Sequence, residues 1–121
     1  MTEPIFDKSE QLQQVQQDLL PGEVVVVVYD CTGAGTGFVG LTNLRVVIQD
    51  RSFVGKRTAI TSIPYHNIRS VSLLSNKSWA GEFFSSSSVA MTAGPDTFEA
   101  EFRGTEKAHH VHRVILENIT R

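Results

Sequence analysis

Val24-Val25-Val26-Val27-Val28-Tyr29, then Gly33-Ala34-Gly35-Thr36-Gly37, then Phe38 to Thr42, is the stretch whose reading decides the fold. β-Branched and aromatic side chains in unbroken succession lose χ1 freedom in a helix and suit a pleated sheet, so the valines predict a strand. The glycines predict a flexible turn, and Phe38 to Thr42 a second strand returning beside the first. With Asn43 as a turn residue, Leu44 to Gln49 predicts a third. The valine run is also far short of the roughly 18 apolar residues that a membrane helix needs.

Downstream, the same pattern continues. Asp50 to Lys56, with Gly55, reads as a hairpin loop. Arg57 to Ile63 alternates, with Ala59 and Thr61 on one face and Ile60 and Ser62 on the other, and Pro64 breaks it. Ile68 to Leu74 resumes as a strand, Ser75 to Gly81 is a polar loop carrying Trp79, and Phe83 to Thr92 and Thr97 to Phe102 flank the turn Ala93-Gly94-Pro95-Asp96. Phe98, Ala100 and Phe102 alternate with Glu99 and Glu101, the pattern of a half-buried strand. At the C-terminus Ala108, Val111, Ile115, Leu116 and Ile119 trace a helical stripe behind a Thr105 cap.

Upstream, Asp7 and Glu10 have the spacing of a capping box, and Leu12, Val15 and Leu19 make a narrow apolar stripe that Pro21-Gly22 ends. That stripe is too thin to fold alone. Seven closely spaced strands and a final amphipathic helix predict a mainly β architecture, an antiparallel barrel or sandwich with a helix at one end.

Charge and composition set bounds. The 121 residues are 40% hydrophobic and 20% charged, as in one ordinary globular domain. A net charge of −2 excludes a strongly basic nucleic-acid binder. The one cysteine, Cys31, cannot form an internal disulfide, and no leader pattern opens the chain, so the expected setting is reducing and cytoplasmic. Residues 1–22 carry −3 and residues 45–69 carry +4, so a basic middle segment sits inside an otherwise mildly acidic chain.

With these elements in place, Leu20 to Ile119 resembles the bacterial pleckstrin-homology (PH) domains, over about four-fifths of the chain. The likeness rests on Leu20-Pro21-Gly22-Glu23 before the first strand and on Gly40-Leu41-Thr42-Asn43-Leu44-Arg45-Val46-Val47 across a hairpin. Further along it rests on Gly55-Lys56 in a loop, Ile63-Pro64-Tyr65, Asn67-Ile68-Arg69-Ser70-Val71 and the last helix. The resemblance implies seven antiparallel strands in two nearly orthogonal sheets, capped by the C-terminal helix, and places a helical extension at 1–22 before a PH-like unit at 23–121. It implies no established biochemical role for the family, in which ring-like or other homo-oligomeric assembly is common. PH domains of signalling proteins typically carry a tryptophan in the terminal helix, where this chain offers Ile115 and Leu116.

The chemical motifs carry little. Gly35-Thr36-Gly37-Phe38-Val39-Gly40 fits the dinucleotide fingerprint in letters only, because its glycines run into a strand rather than opening a helix. His109 and His112, with Glu106 before them, share a helix face, but a metal site needs further ligands and only His66 remains elsewhere. Cys31 follows Asp30, which works against a reactive thiolate. Ser85 to Ser88 lack the context of a nucleophile elbow, and alternation puts Ser86 and Ser88 together on a wet face. No catalytic residue, cofactor or metal site is therefore expected.

Two surfaces remain. Arg51, Phe53, Val54, Lys56 and Arg57 place apolar side chains between cations at a hairpin tip, a candidate contact with a partner or with anionic lipid headgroups. In phosphoinositide-binding PH domains the first hairpin loop supplies the chief basic grip, and here Asp30 to Gly37 contains no lysine or arginine. Leu12, Val15 and Leu19 are the candidate assembly contacts, and strands such as Phe83 to Val89 are expected to offer open edges. The leading expectation is a non-catalytic module that self-assembles or docks an unknown protein partner, with weak binding to an anionic membrane as the alternative and no nucleic acid.

Overall fold

The computed structural model describes residues 3–33, 35–51, 57–76 and 86–121. In chain order these form β1 (Ile5–Phe6), α1 (Ser9–Gln16), β2 (Val25–Asp30), β3 (Thr36–Thr42), β4 (Arg45–Asp50) and β5 (Ala59–Pro64). After a 3-10 turn over Tyr65–Asn67 come β6 (Ile68–Asn76), β7 (Ser86–Ala93), β8 (Asp96–Arg103) and α2 (Glu106–Ile119). One sheet runs β1-β2-β3-β4-β5 and the other β6-β7-β8. The seven strands expected from the sequence are β2 to β8, antiparallel within each sheet.

The sheets do not close into a continuous barrel. Among the described residues no ladder joins β5 to β6, while the Thr32–Glu101 bridge and a hydrogen bond from Thr36 Oγ1 to the Glu99 carbonyl hold one corner together. Between the sheets lie Val27, Leu41, Val46 and Ile63 from one side and Val89, Met91, Ala100 and Phe102 from the other. Ala108, Val111 and Ile115 of α2 complete this core, where the 3.6-residue period puts three apolar side chains on one face. Leu116, placed in that stripe by the sequence, is instead 41% exposed, because the face is narrower than five residues.

A second, smaller core lies on the outer face of the larger sheet. There Leu12 and Val15 of α1 pack on Val25, Val28, Phe38 and Val47, with Leu19 partly buried beside them. The N-terminal stripe is thus spent on its own chain. The approach is close because Gly40 of β3 lies beneath Val15: a Cβ there would stand 2.9 Å from Val15 Cγ2.

Three local expectations are corrected. Asp7 does not cap α1, whose N-cap is Lys8 without a side-chain bond; the Asp7 carboxylate accepts instead from the Asp30 N–H and Lys107 Nζ. The helix ends at Gln16, earlier than the stripe suggests, and Gly22 turns the chain at φ 79° toward β2. β7 is the central strand of its sheet, paired on both sides, so Ser86 to Val89 are no open edge, and Ser88 is buried.

Candidate docking surface

Where edges are open matters more than how many strands there are. β1 lies parallel to β2 but pairs only Ile5 with Val27 and Phe6 with Val28, so it shields just the middle of β2. Two residues of strand carry no readable alternation, which is why the sequence pattern misses β1. Upstream on the same edge, Val24 and Val26 stand exposed, and Leu20 projects from the turn before them. Ile5 is 53%, Leu20 56% and Val24 56% exposed, and Phe6 and Val26 are also open. Of the nine large exposed apolar residues among those described, five lie on β1, at the start of β2 or in the turn before it. Contiguous exposed apolar patches on a protein surface make candidate contact sites, whereas scattered apolar residues do not.

The strip is held rigidly from both ends. At its start, Glu23 accepts hydrogen bonds from the Leu20 N–H at 2.9 Å, Thr42 Oγ1 at 2.7 Å and Arg45 Nε at 2.8 Å, and Arg45 also reaches the Asp18 carbonyl. The Glu23 side chain is fully buried. Burial alone pushes its carboxyl upward, but Arg45, the Leu20 N–H and Thr42 outweigh that and hold it below the usual glutamate range. Asn43 then fastens β2, accepting from the Val24 N–H at 2.7 Å and donating to the Gly22 carbonyl.

At the other end the N-terminal segment is tied to α2. Asp7 pairs with Lys107 at 2.9 Å, Lys8 with Asp30 at 3.4 Å, and Gln11 Nε2 donates to Asp30 at 2.8 Å. Lys107 also sits over the Tyr29 ring, and the Tyr29 hydroxyl bonds His110 Nδ1 at 2.8 Å. Once these pairs are assigned, the charges left without an ion pair among described residues 3–22 are Glu3, Glu10 and Asp18, all negative.

The other singled-out residues fall elsewhere. Arg51 and Arg57 are exposed on either side of the β4–β5 connection and form no ion pair among the described residues; Phe53, Val54 and Lys56 lie outside those residues. Beside β3, β4 and β8 a hollow of about 190 Å³ is lined by the carboxylates Asp50 and Glu99 among other residues. Cys31 is buried; burial first, and then Asp30, push its thiol up to about 12. The three glycines of the nucleotide-like pattern have separate duties: Gly40 admits Val15, Gly37 lies under the Gln49 side chain, and the Gly35 carbonyl accepts from the Arg51 N–H.

His66 stays apart from the helical histidines. It lies beside Asn118 and Arg121 at the end of α2, whereas His110 meets Tyr29 near the helix start. His66 also borders a groove of about 520 Å³ along β5, where Arg69 faces the same space as Asp96. Among the described residues no group of three histidine, cysteine, aspartate or glutamate side chains is placed to hold a metal ion.

The fold has a solved counterpart. The chain is similar to the crystal structure of a pleckstrin homology domain from Shewanella amazonensis SB2B, with a TM-score of 0.68 and 17% sequence identity over 95% of this chain and 100% of that one. No family model and no curated protein matches the sequence. The class is thereby defined by fold: a PH-like domain, mainly β, with helices at both ends.

Proposed function

We propose that this protein is a non-catalytic binding module that docks protein, a second copy of itself first, along the exposed edge of β1 and β2. The observation that carries the reading is the gathering of Ile5, Phe6, Leu20, Val24 and Val26 on one strand edge. An open edge offers main-chain hydrogen bonds to an incoming segment, and apolar side chains beside it supply the burial that makes such pairing last. A fold that serves elsewhere as a binding platform suits that role, although fold alone assigns no partner.

Attachment to anionic lipid is the weaker reading. The described cations of the basic loop are Arg51 and Arg57, Arg51 follows Asp50 directly, and the first hairpin loop contributes no cation. At about 1 kcal/mol for each cation near an anionic surface, two arginines give only weak attachment.

Light scattering on the full chain tests the proposal. Self-association that rises with concentration, and that falls when Phe6 and Val24 are both changed to serine, supports it. A monomer at every concentration, or association indifferent to those substitutions, overturns it.

A further inference from the structure

We infer that the open side of β5 is a second docking site, which takes an extended segment of a different protein carrying a carboxylate for Arg69 and a cation for Asp96. The site is separate from the β1–β2 edge and lies across the larger sheet from it.

The strand itself supplies the floor. β5 pairs with β4 along its whole length, from Ala59 with Asp50 to Pro64 with Arg45. It is the last strand of the larger sheet, and among the described residues no ladder covers its other side. In an antiparallel ladder alternate residues turn their N–H and C=O away from the partner, so β5 offers main-chain groups there for an incoming strand. A groove of about 520 Å³ follows that side and touches the consecutive residues Thr61, Ser62, Ile63 and Pro64. Successive side chains of a strand point to opposite faces, so a hollow reached by four in a row lies along the edge. Among the described residues, none of α2 lines it.

The far wall brings charge. β6 advances from Ile68 to Ser70 while β7 moves only from Ala93 to Thr92, which makes Arg69 the extra residue of a β-bulge. A bulge bends its strand and re-aims the side chain it carries, and here Arg69 lines the groove. Asp96, at the start of β8, lines it too. Both are exposed, and neither forms an ion pair or side-chain hydrogen bond among the described residues, with the other or with a third group. Opposite charges that share a groove without meeting leave each to be matched by an occupant. A guanidinium is built to grip a carboxylate, and a basic side chain beside it on the same segment complements Asp96.

Exposure decides the size of that occupant. Sites for small molecules enclose most of the ligand. Here Ser62, His66, Asn67, Arg69 and Asp96 all stand in solvent at the rim. The geometry suits a chain covered on one side and stretched along a strand, where main-chain pairing gives affinity and the two charges set the register.

Random short peptides displayed on phage and selected against the full chain test this, with the recovered peptides then measured in synthetic form. Recovered sequences are expected to carry Asp or Glu close to Lys or Arg. Arg69→Glu, checked by thermal melting to be folded, is expected to weaken binding about tenfold or more, and exchanging the peptide's carboxylate for Lys to restore it. N-methylation of the peptide is expected to weaken binding at alternate amides only, as strand pairing requires. Phe6→Ser with Val24→Ser is expected to bind the peptides as the unaltered chain does; loss of binding there would move the peptides to the β1–β2 edge and overturn the inference while leaving edge docking in place. Failure to recover any peptide, binding indifferent to Arg69→Glu, or equal effects of N-methylation at every amide overturns it as well. If light scattering shows that Arg69→Glu abolishes self-association, a second copy covers the groove and the inference fails.

Discussion

Val15 Cγ2 occupies the space that a side chain on Gly40 would need, 2.9 Å from where its Cβ would stand. That relationship fixes α1 on the outer face of the sheet. Gly40→Ala is expected to push the helix outward and to cost about 1–3 kcal/mol, the range for forcing a methyl into a packed core. In the double variant with Val15→Ala the two effects should sum to less than the separate losses, because the second change removes the clash that the first creates. Denaturant unfolding of the three variants measures this coupling; strict additivity would show that the helix is not seated on Gly40.

The Glu23–Arg45 pair is expected to dominate the acid dependence of stability. Glu23 is held below its ordinary value in the folded state, so the unfolded chain takes up its proton first as pH falls. Its contribution is whole above the ordinary glutamate value of about 4.3 and is lost as pH drops through the lowered one. Glu23→Gln should flatten the stability profile in that window, and Glu23→Ala, which strands Arg45, should cost about 3–5 kcal/mol at neutral pH. Unfolding followed from pH 7 down to pH 3 checks both; an unchanged acid limb in Glu23→Gln would contradict the assignment.

Cys31 should behave as an inert thiol. With its pKa pushed up to about 12 by burial and then by Asp30, its thiolate fraction at pH 8 is on the order of 1,000-fold lower than that of an ordinary cysteine near 8.5. Reaction with a chromogenic disulfide should therefore be slow in the folded protein and fast in denaturant. Rapid labelling of the native chain would mean that the thiol is accessible.

Ile115 and Leu116 should separate cleanly. Ile115 is fully buried and Leu116 is 41% exposed, so Ile115→Ala should cost about 2–5 kcal/mol and Leu116→Ala well under half of that. Thermal melting of the two variants provides the comparison, and equal losses would place Leu116 in the core.

How much of this is legible in the sequence depends on the length of the pattern. Val24 to Tyr29, the Thr42-Asn43-Leu44 turn and the alternation of Phe98 to Phe102 each repeat often enough to announce a strand, and they place β2, β4 and β8 within a residue or two. β1 was invisible because Ile5-Phe6 is one contact with β2 rather than a period. Its neighbour Asp7 escapes the pattern for a related reason: a capping-box spacing says nothing about competing donors, and here the Asp30 N–H and Lys107 are those donors. The stripe of Leu12 and Val15 shows a need for a surface, but the sequence holds no sign that Gly40 makes room for Val15 within the same chain. The surplus of unpaired carboxylates in the N-terminal segment is hidden more deeply, since it emerges only once Lys8 is paired with Asp30 and Lys107 with Asp7 in space.

The most direct measurement of edge docking is hydrogen exchange of the full chain as a function of its own concentration, from about 10 µM to about 1 mM. The account predicts that amides of residues 3–8 and 24–27 gain protection as concentration rises, while those of the buried central strand β7 stay unchanged. Exchange at the β1–β2 edge that is identical at every concentration would contradict it.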